Sequence, residues 1–336
     1  MKLSVRLITY NHAPFIAQAI EGVLMQQTNF DFEIVIGEDG SNDGTREIVQ
    51  QYQAKYPDKI RLLLNDRKNV IYIDGKPTGR WNFMNTLRQC RGQYIALLDG
   101  DDYWTSPHKL QKQVDLLDQN PDCAFCFHDV ETLLDDGTRT PGYELIHVRK
   151  PWYELRGIFS GEFYPPTCSV VYRNGLFKDF PDWFTKVPFA DFPLHVLNGE
   201  RGKIGFLNES LGVYRLHPGG IWSQGQRKTE WSEEVWRVRQ KADVEFIALM
   251  DVYLNRRYHD CMAYRIADGS FDLVRYYRQK QDWPNMRKFL LLGFRARPRI
   301  YLSTASFLFR SFAVAFCPVG YKFFRKIKDL GGKRSD

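Results

Sequence analysis

A short apolar run, Tyr94 to Leu98, delivers three carboxylates and a glycine in the order Asp99-Gly100-Asp101-Asp102. Burying unpaired carboxylates is expensive, so a turn of this kind makes a poor core. It makes a good holder for a hard divalent cation, which takes oxygen ligands and often shares itself with substrate phosphates. A calcium loop starting at Asp99 is excluded, because Trp104 and Leu110 stand where such a loop needs glycine and glutamate. Two further polar turns follow apolar runs, Thr9-Tyr10-Asn11-His12 and Glu38-Asp39-Gly40-Ser41-Asn42-Asp43-Gly44-Thr45. Taken alone, the second is also what a helix-capping loop is made of. In a parallel sheet, however, successive strands put their C-terminal ends on one edge, where ligands bind.

The elements that must position these turns are legible as an alternation. Leu3 to Thr9 reads as a strand, and Asn11 as the cap of a helix with Pro14 in its first turn, running to about Gln27. Phe32 to Gly37 is a second strand, Thr45 to about Tyr56 a helix, and Ile60 to Leu64 a third strand. Residues 82–90 look helical, Gln93 to Leu98 is the strand before the carboxylates, Pro107 opens the next helix, and Cys123 to His128 is another strand. This pattern predicts an α/β fold, a mostly parallel sheet with helices on both faces. Residues 136–226 are irregular and rich in aromatics, and 228–297 read as almost wholly helical. The predicted division is therefore 1–226, with halves 1–135 and 136–226, followed by a helical region over 227–336.

Composition narrows the class. Of 336 residues, 43% are hydrophobic and 15% aromatic, which is ample for a sizeable core. The net charge of +7 hides an asymmetry: residues 271–336 carry 15 Lys and Arg against 4 Asp and Glu, whereas the first 270 carry 32 against 36. Cys123 and Cys126 form a C-x-x-C inside a buried-looking strand, and no second pair sits at zinc-site spacing. The N-terminus opens on a strand-like run without the apolar core of a signal peptide, so a cytoplasmic setting is expected.

Three motifs in order carry a resemblance: Thr9-Tyr10-Asn11, then Glu38-Asp39-Gly40-Ser41-x-Asp43-Gly44-Thr45, then Arg91-Gly92-x-Tyr94-Ile95-Ala96-Leu97-Leu98-Asp99-Gly100-Asp101-Asp102. Over roughly residues 1–225 the chain resembles glycosyltransferase family 2, whose members are inverting enzymes of the GT-A (Rossmann-like) fold that use nucleotide-diphosphate sugars. Glu38 stands where many relatives have Asp. The resemblance implies that Asp39 holds the nucleotide base, that Thr9, Tyr10 and Asn11 line the nucleoside pocket beside Glu38, and that Lys68 contacts base or phosphate. It implies a DxD-type metal site for manganese or magnesium, with Asp101 near ribose and metal, Asp102 on the metal and Asp99 starting the turn on the donor side. Phe189-Ala190-Asp191-Phe192 resembles the segment carrying the general base, with Ala190 where many relatives have Glu, so that role falls to Asp191. Leu211 to Gly220 resembles the closing element over the diphosphate, which would bring His217 to the metal and Arg215 to balance charge.

The implied activity is transfer of a sugar from a nucleotide-diphosphate sugar to a hydroxyl acceptor, a glycan or lipid-linked glycan, in cell-surface polysaccharide or glycolipid assembly. The alternative is a non-catalytic sugar-nucleotide-binding protein of the same fold, which would not need Asp191. A nucleotidyltransferase would want a glycine-rich basic phosphate loop after the first strand, and Thr9-Tyr10-Asn11-His12-Ala13-Pro14 is not one. Ile300 to Tyr321 is long enough to span a membrane, but Arg310 near its middle argues against it. With the basic finish to residue 334, it suits a helix lying on an anionic membrane surface, on the inner face of the cell membrane. No nucleic-acid-binding motif is present.

Overall fold

The computed structural model describes residues 1–73, 75–140, 146, 149–220 and 233–298. The chain divides into two units, Met1–Gln224 and Gly225–Asp336. In the first, strands β1 (Leu3–Thr9), β2 (Phe32–Glu38), β3 (Ile60–Leu64) and β6 (Tyr94–Asp99) run parallel in the order β6-β1-β2-β3. A small hairpin of β4 (Ile71–Ile73) and β5 (Lys76–Thr78) stands apart from this sheet. Beyond β6 the sheet continues through antiparallel β11 (Val171–Arg173), then β8 (Cys123–Leu133), β12 (Lys203–Arg215) and β10 (Trp152–Tyr153). Two short strands, β7 (Tyr103–Trp104) and β9 (Arg139–Thr140), pair with β12 and β8.

Side-chain alternation explains how β1 can be buried on both faces. Leu3, Val5 and Leu7 enter one core with Ile34, Ile36, Ala96 and Leu98. Helix α1 (Ile16–Leu24) covers that face with Ile16, Ala19, Ile20 and Val23, a stripe at helical spacing. Helix α2 (Thr45–Lys55) adds Val49, and α4 (Lys109–Gln119) adds Leu110, Val114 and Leu117. The opposite face of β1 carries Ser4 and Arg6 and lies under α3 (Arg80–Arg88), whose Phe83 ring stacks on the Arg6 guanidinium at 4.6 Å. Helix α3 approaches closely because Gly37 has no side chain: a Cβ there would lie 2.0 Å from Thr86 Oγ1. Helices α5 (Leu155–Ser160) and α6 (Asp191–Gly199) complete the unit.

One expectation is corrected. Asn11 does not cap α1, which starts at Ile16 with no side-chain cap; Asn11 sits in the left-handed region at φ 54°. The other strands and helices expected over residues 1–135 are present, with ends displaced by a few residues.

The long strand β12 matters most for the site. It runs parallel to β8 and then pairs antiparallel with β7, setting Gly212 opposite Trp104 and Val213 opposite Tyr103. This brings Arg215 and His217 back to the turn that follows β6. Trp104 anchors the junction, donating from Nε1 to the Cys168 carbonyl at 2.7 Å, with the buried Lys109 ammonium 3.7 Å from its ring centre.

The second unit contains α7 (Glu233–Tyr253), α8 (His259–Gln279) and α9 (Trp283–Ala296). Met250, Leu254, Met262, Ile266, Leu273, Met286 and Phe289 are buried, and Arg265 makes a two-armed ion pair with Asp243. Among the described residues no helix is long and apolar enough to cross a membrane. The apolar and basic segment expected over 300–334 lies outside the described residues.

Gly92, in the turn before β6, packs against the backbone of β1. Its N–H donates to Ser4 Oγ at 2.8 Å, and a Cβ would fall 2.3 Å from the Ser4 backbone nitrogen. Gly92→Ala should therefore destabilise the fold by about 2 kcal/mol or more, since the backbone must move to relieve the clash. Urea unfolding checks this, and a midpoint within error of wild type would show that the loop yields freely.

Candidate active site

The C-terminal ends of β1, β2 and β6 lie side by side, with Thr9 opposite Glu38 and Ile8 opposite Asp99. The first two turns are stitched together. Asn11 Oδ1 accepts from Asn42 N at 3.0 Å, while Asn11 N donates to Ser41 Oγ at 2.9 Å. His12 N donates to Thr45 Oγ1 at 2.8 Å, and Ala13 N donates to Asp43 Oδ2 at 3.0 Å. The short polar residues of the second turn thus satisfy the backbone of the first, which frees His12 to point its ring elsewhere.

Asp39 is 4% exposed, and burial pushes its carboxyl up to about 6 against the pull of Arg67. Arg67 Nη1 lies 3.3 Å from Asp39 Oδ2, and its guanidinium stacks over the Tyr10 ring at 4.3 Å. A carboxylate, a guanidinium and an aromatic ring therefore meet at one end of the crevice. Lys68 does not join them: its side chain is 83% exposed and pairs with Asp66. Glu38 is fully buried and already engaged, accepting from Ser41 N and Arg46 Nε, so it serves the turn from inside.

At the other end His12, Asp101 and His217 each offer an atom within 4.8 Å of the others. His217 Nε2 is 3.2 Å and His12 Nε2 3.8 Å from Asp101 Oδ2. Burial works to raise the Asp101 carboxyl, but the hydrogen bond from His217 and the nearby His12 prevail and hold it low. Burial lowers the His12 imidazole, which favours the neutral form a metal needs. Gly100 is required here, because a Cβ would lie 2.7 Å from Thr9 Oγ1 and 2.9 Å from His12 Nδ1. Both of those atoms, with Asp99 Oδ1, are buried without a hydrogen-bond partner among the described residues. One carboxylate and two imidazoles suit manganese or another first-row divalent ion, and three protein ligands leave coordination positions for diphosphate oxygens.

Asp102 does not belong to this cluster. It is 2% exposed and its Oδ1 accepts from Arg215 N at 2.8 Å, which buckles the turn to the end of β12. Burial and then neighbouring Asp101 push its carboxyl well up. Arg215 completes the buckle by donating from Nε to the Asp101 carbonyl at 2.9 Å.

Asp99 faces the other side of the sheet edge, where Arg6 Nη1 lies 3.4 Å from Oδ1. Burial raises its carboxyl to about 6, with Arg6 opposing and Asp101 and Asp191 adding to the rise. Asp191 is the first residue of α6; its Oδ1 accepts from Phe192 N at 2.8 Å, and Thr167 Oγ1 lies 3.5 Å from Oδ2. The turn before it is pinned by Arg80, which donates to the carbonyls of Phe184 and Val187 at 2.9 and 2.8 Å. Nearby, Tyr172 hydrogen-bonds His195 Nδ1, and His195 Nε2 donates to the Pro165 carbonyl at 3.1 Å.

Sequence reasoning missed Arg6, Arg67 and Arg80 and gave His12 no role. Adjacency to the first motif was the signal for His12, and adjacency to Lys68 the signal for Arg67. Arg6 carried a better one, an arginine inside an otherwise apolar strand.

The profile of glycosyl transferase family 2 matches residues 4–177. An uncharacterized protein of Mycobacterium tuberculosis is 35% identical over 220 residues, which cover 66% of this chain and 60% of that protein. The chain thus spans less than two thirds of that relative's length. TuaG of Bacillus subtilis, provisionally named as a teichuronic acid biosynthesis glycosyltransferase, is 32% identical over 146 residues, covering 44% of this chain and 52% of TuaG. The crystal structure of S. aureus TarS 1–349 in complex with UDP superposes with a TM-score of 0.53 at 17% identity, covering 86% of this chain and 90% of that one.

The cluster makes a direct prediction for Mn2+ binding by calorimetry. Asp101→Asn should weaken binding at least about tenfold, roughly 1.4 kcal/mol, whereas Asp102→Asn should leave it near wild type because its oxygen serves Arg215 N. Equal losses in both variants would return Asp102 to the metal.

Proposed function

From a chain that belongs to glycosyl transferase family 2 and has the GT-A fold, we propose an inverting, metal-assisted transfer of one sugar from a nucleoside-diphosphate sugar to a hydroxyl acceptor. The observation that carries this reading is that Asp99, at the end of β6, feels the charge both of Asp101, a member of the His12–Asp101–His217 cluster, and of Asp191. A binding protein would need the first but not the second.

In this reading the base rests against Tyr10, with Asp39 accepting from a ring N–H and Arg67 donating to a ring carbonyl. A carboxylate paired with a guanidinium suits uracil or guanine better than cytosine, whose ring nitrogen at that edge is an acceptor. Thr9, Asn11 and the turn behind Glu38 line the nucleoside, and Asp99 faces the donor sugar. Lys68 stays in solvent and is left out of the site. A divalent ion held by Asp101, His12 and His217 would neutralise the charge that grows on the departing diphosphate. Asp191 takes the proton from the acceptor hydroxyl as that oxygen bonds to the anomeric carbon, while the nucleoside diphosphate leaves with the electron pair of the old bond. Single displacement inverts the anomeric configuration.

The acceptor belongs to cell-surface polysaccharide or glycolipid assembly in this proposal, a reading that the name of TuaG supports. The basic C-terminal segment adds an anionic membrane surface as a partner, on the charge asymmetry of the sequence.

Three measurements test the proposal. Thermal shift with UDP, GDP, dTDP and CDP, each with and without Mn2+, should show metal-dependent stabilisation by uracil, thymine or guanine nucleotides and little by CDP. Asp191→Asn should preserve that shift while lowering transfer by at least about 100-fold, roughly 2.7 kcal/mol of transition-state stabilisation. A variant that still turns over would remove Asp191 as the base. Truncation after Arg297 should release the chain from phosphatidylserine vesicles without lowering its melting temperature, and undiminished sedimentation with vesicles would overturn the membrane proposal.

A further inference from the structure

Helix α3 is held on one side and holds on the other. Toward β2, Asn82 Nδ2 donates to the Gly37 carbonyl at 2.9 Å, and Thr86 Oγ1 donates to Asn82 Oδ1 at 3.1 Å. Away from β2, α3 grips the irregular segment between β11 and α6. Arg80 Nη1 donates to the Phe184 carbonyl at 2.9 Å and Nη2 to the Val187 carbonyl at 2.8 Å. The same guanidinium stands 4.8 Å from the Phe184 ring centre. Phe83 packs on Phe184 at 6.1 Å, and at the far end of the helix Arg88 pairs with Asp179 at 2.8 Å. Inside the gripped segment, Phe184 N donates to the Pro181 carbonyl and Lys186 N to the Trp183 carbonyl, both short-range bonds. Side chains of α3 thus tie to the sheet a turn whose own hydrogen bonds are local.

Arg80 is 4% exposed, and a guanidinium so buried is unfavourable unless its donors are used. Here they are used, because the rigid planar fork of arginine spans two carbonyls three residues apart. A methionine would fill similar space without that desolvation, but it would hold neither backbone oxygen. Location gives the clasp its meaning. Arg80 follows Gly79, where a Cβ would lie 3.8 Å from Asp39 Oδ2, and its own N–H donates to Thr78 Oγ1 at 3.4 Å. Val187, at the other end of the clasp, stands four residues before Asp191, the first residue of α6. One side chain therefore bridges from the helix that begins beside Asp39 to the turn that leads into Asp191.

We propose that Arg80 is a positioning residue for Asp191, a clasp on the 184–187 turn whose loss costs turnover while nucleotide binding survives. This rests on the reading of Asp191 as the base. Arg80 touches neither donor nor acceptor in this scheme and acts through the backbone it holds. Displacing a reacting group by about 1 Å lowers a rate on the order of 100-fold, so a loosened turn is felt at Asp191. The Asp39–Arg67 pair and the stack of Arg67 on Tyr10 are made without the Arg80 side chain.

The test compares Arg80→Met, which removes the charge and both donors, with Arg80→Lys, whose ammonium lacks the two-armed fork. Trypsin cleavage after Lys186, exposed within the clasped turn, is followed against cleavage after Lys55, exposed at the end of α2. For Arg80→Met, cleavage after Lys186 should accelerate at least about tenfold while cleavage after Lys55 keeps its rate. Release of nucleoside diphosphate from UDP-glucose, UDP-N-acetylglucosamine and GDP-mannose with Mn2+ should show an unchanged KM and a kcat lowered at least about tenfold. Arg80→Lys should fall between wild type and Arg80→Met in both experiments. Unchanged cleavage after Lys186, equal acceleration at the two lysines, a kcat within about twofold of wild type, or a KM that rises as much as kcat falls overturns the proposal.

A wild type silent with all three sugars counts against the proposed function, and trypsin then decides the clasp alone. Selective opening at Lys186 supports it, and uniform or absent opening refutes it. If Arg80→Met does not fold, Arg80→Lys is judged by itself, with changes of about threefold in the same two rates expected and wild-type rates refuting the clasp. Failure of both variants to fold shows that Arg80 serves the fold as a whole and overturns the proposal.

Discussion

Carboxylates gathered at the ends of buried parallel strands have to be balanced by cations that are themselves poorly solvated, and much of the first unit is arranged around that need. Asp39 has Arg67 at 3.3 Å, Asp99 has Arg6 at 3.4 Å, and Asp101 has His217 at 3.2 Å with His12 at 3.8 Å. Glu38, with no exposure at all, is held by Arg46 and a backbone N–H. Asp102 is the exception. Among the described residues no side-chain cation pairs with it, and burial drives its carboxyl up toward the neutral form, where it can still accept from Arg215 N. Adjacent residues of one motif thus do opposite work, one as an anion facing a cluster of imidazoles and one as a buckle inside the protein.

The same constraint couples the two ends of the crevice. His12 belongs to the nucleoside side through its backbone, which donates to Thr45, and to the cation side through its ring, which faces Asp101. Arg215 belongs to β12 and holds both Asp101 and Asp102. A shift of either turn therefore moves side chains of the other, and the rigid support comes from below. Trp104 is locked to Cys168 and Lys109, while α1 approaches so closely that a Cβ on Gly22 would lie 3.0 Å from the Trp104 backbone. Precision at the site is thus a property of the packing beneath it.

The alternating elements of residues 1–135 were legible because they depend on local periodicity, which a linear pattern records directly. The strand runs Leu3–Thr9 and Ile60–Leu64 needed no revision, and the carboxylate turns fell at strand ends as the parallel topology requires. Asn11 was misread because the residue types that cap helices also occupy left-handed turn positions, and only the φ of 54° separates the two. Lys68 was chosen over Arg67 for a similar reason. Neighbouring basic residues look alike in a chain, and the backbone decides which one reaches Asp39.

The sequence by itself determined the fold class, the edge of the sheet where the carboxylate turns collect, and the family resemblance, since strand periodicity, turn composition and motif order are all one-dimensional properties. Tertiary structure alone decided where each member of a motif points and what it touches. It turned Asp102 inward and Asp101 outward, brought His12 to His217 across roughly two hundred residues of chain, and set Arg6 beneath Asp99. Those outcomes depend on side-chain direction and on the burial of charge among partners distant in sequence, and a linear pattern encodes neither.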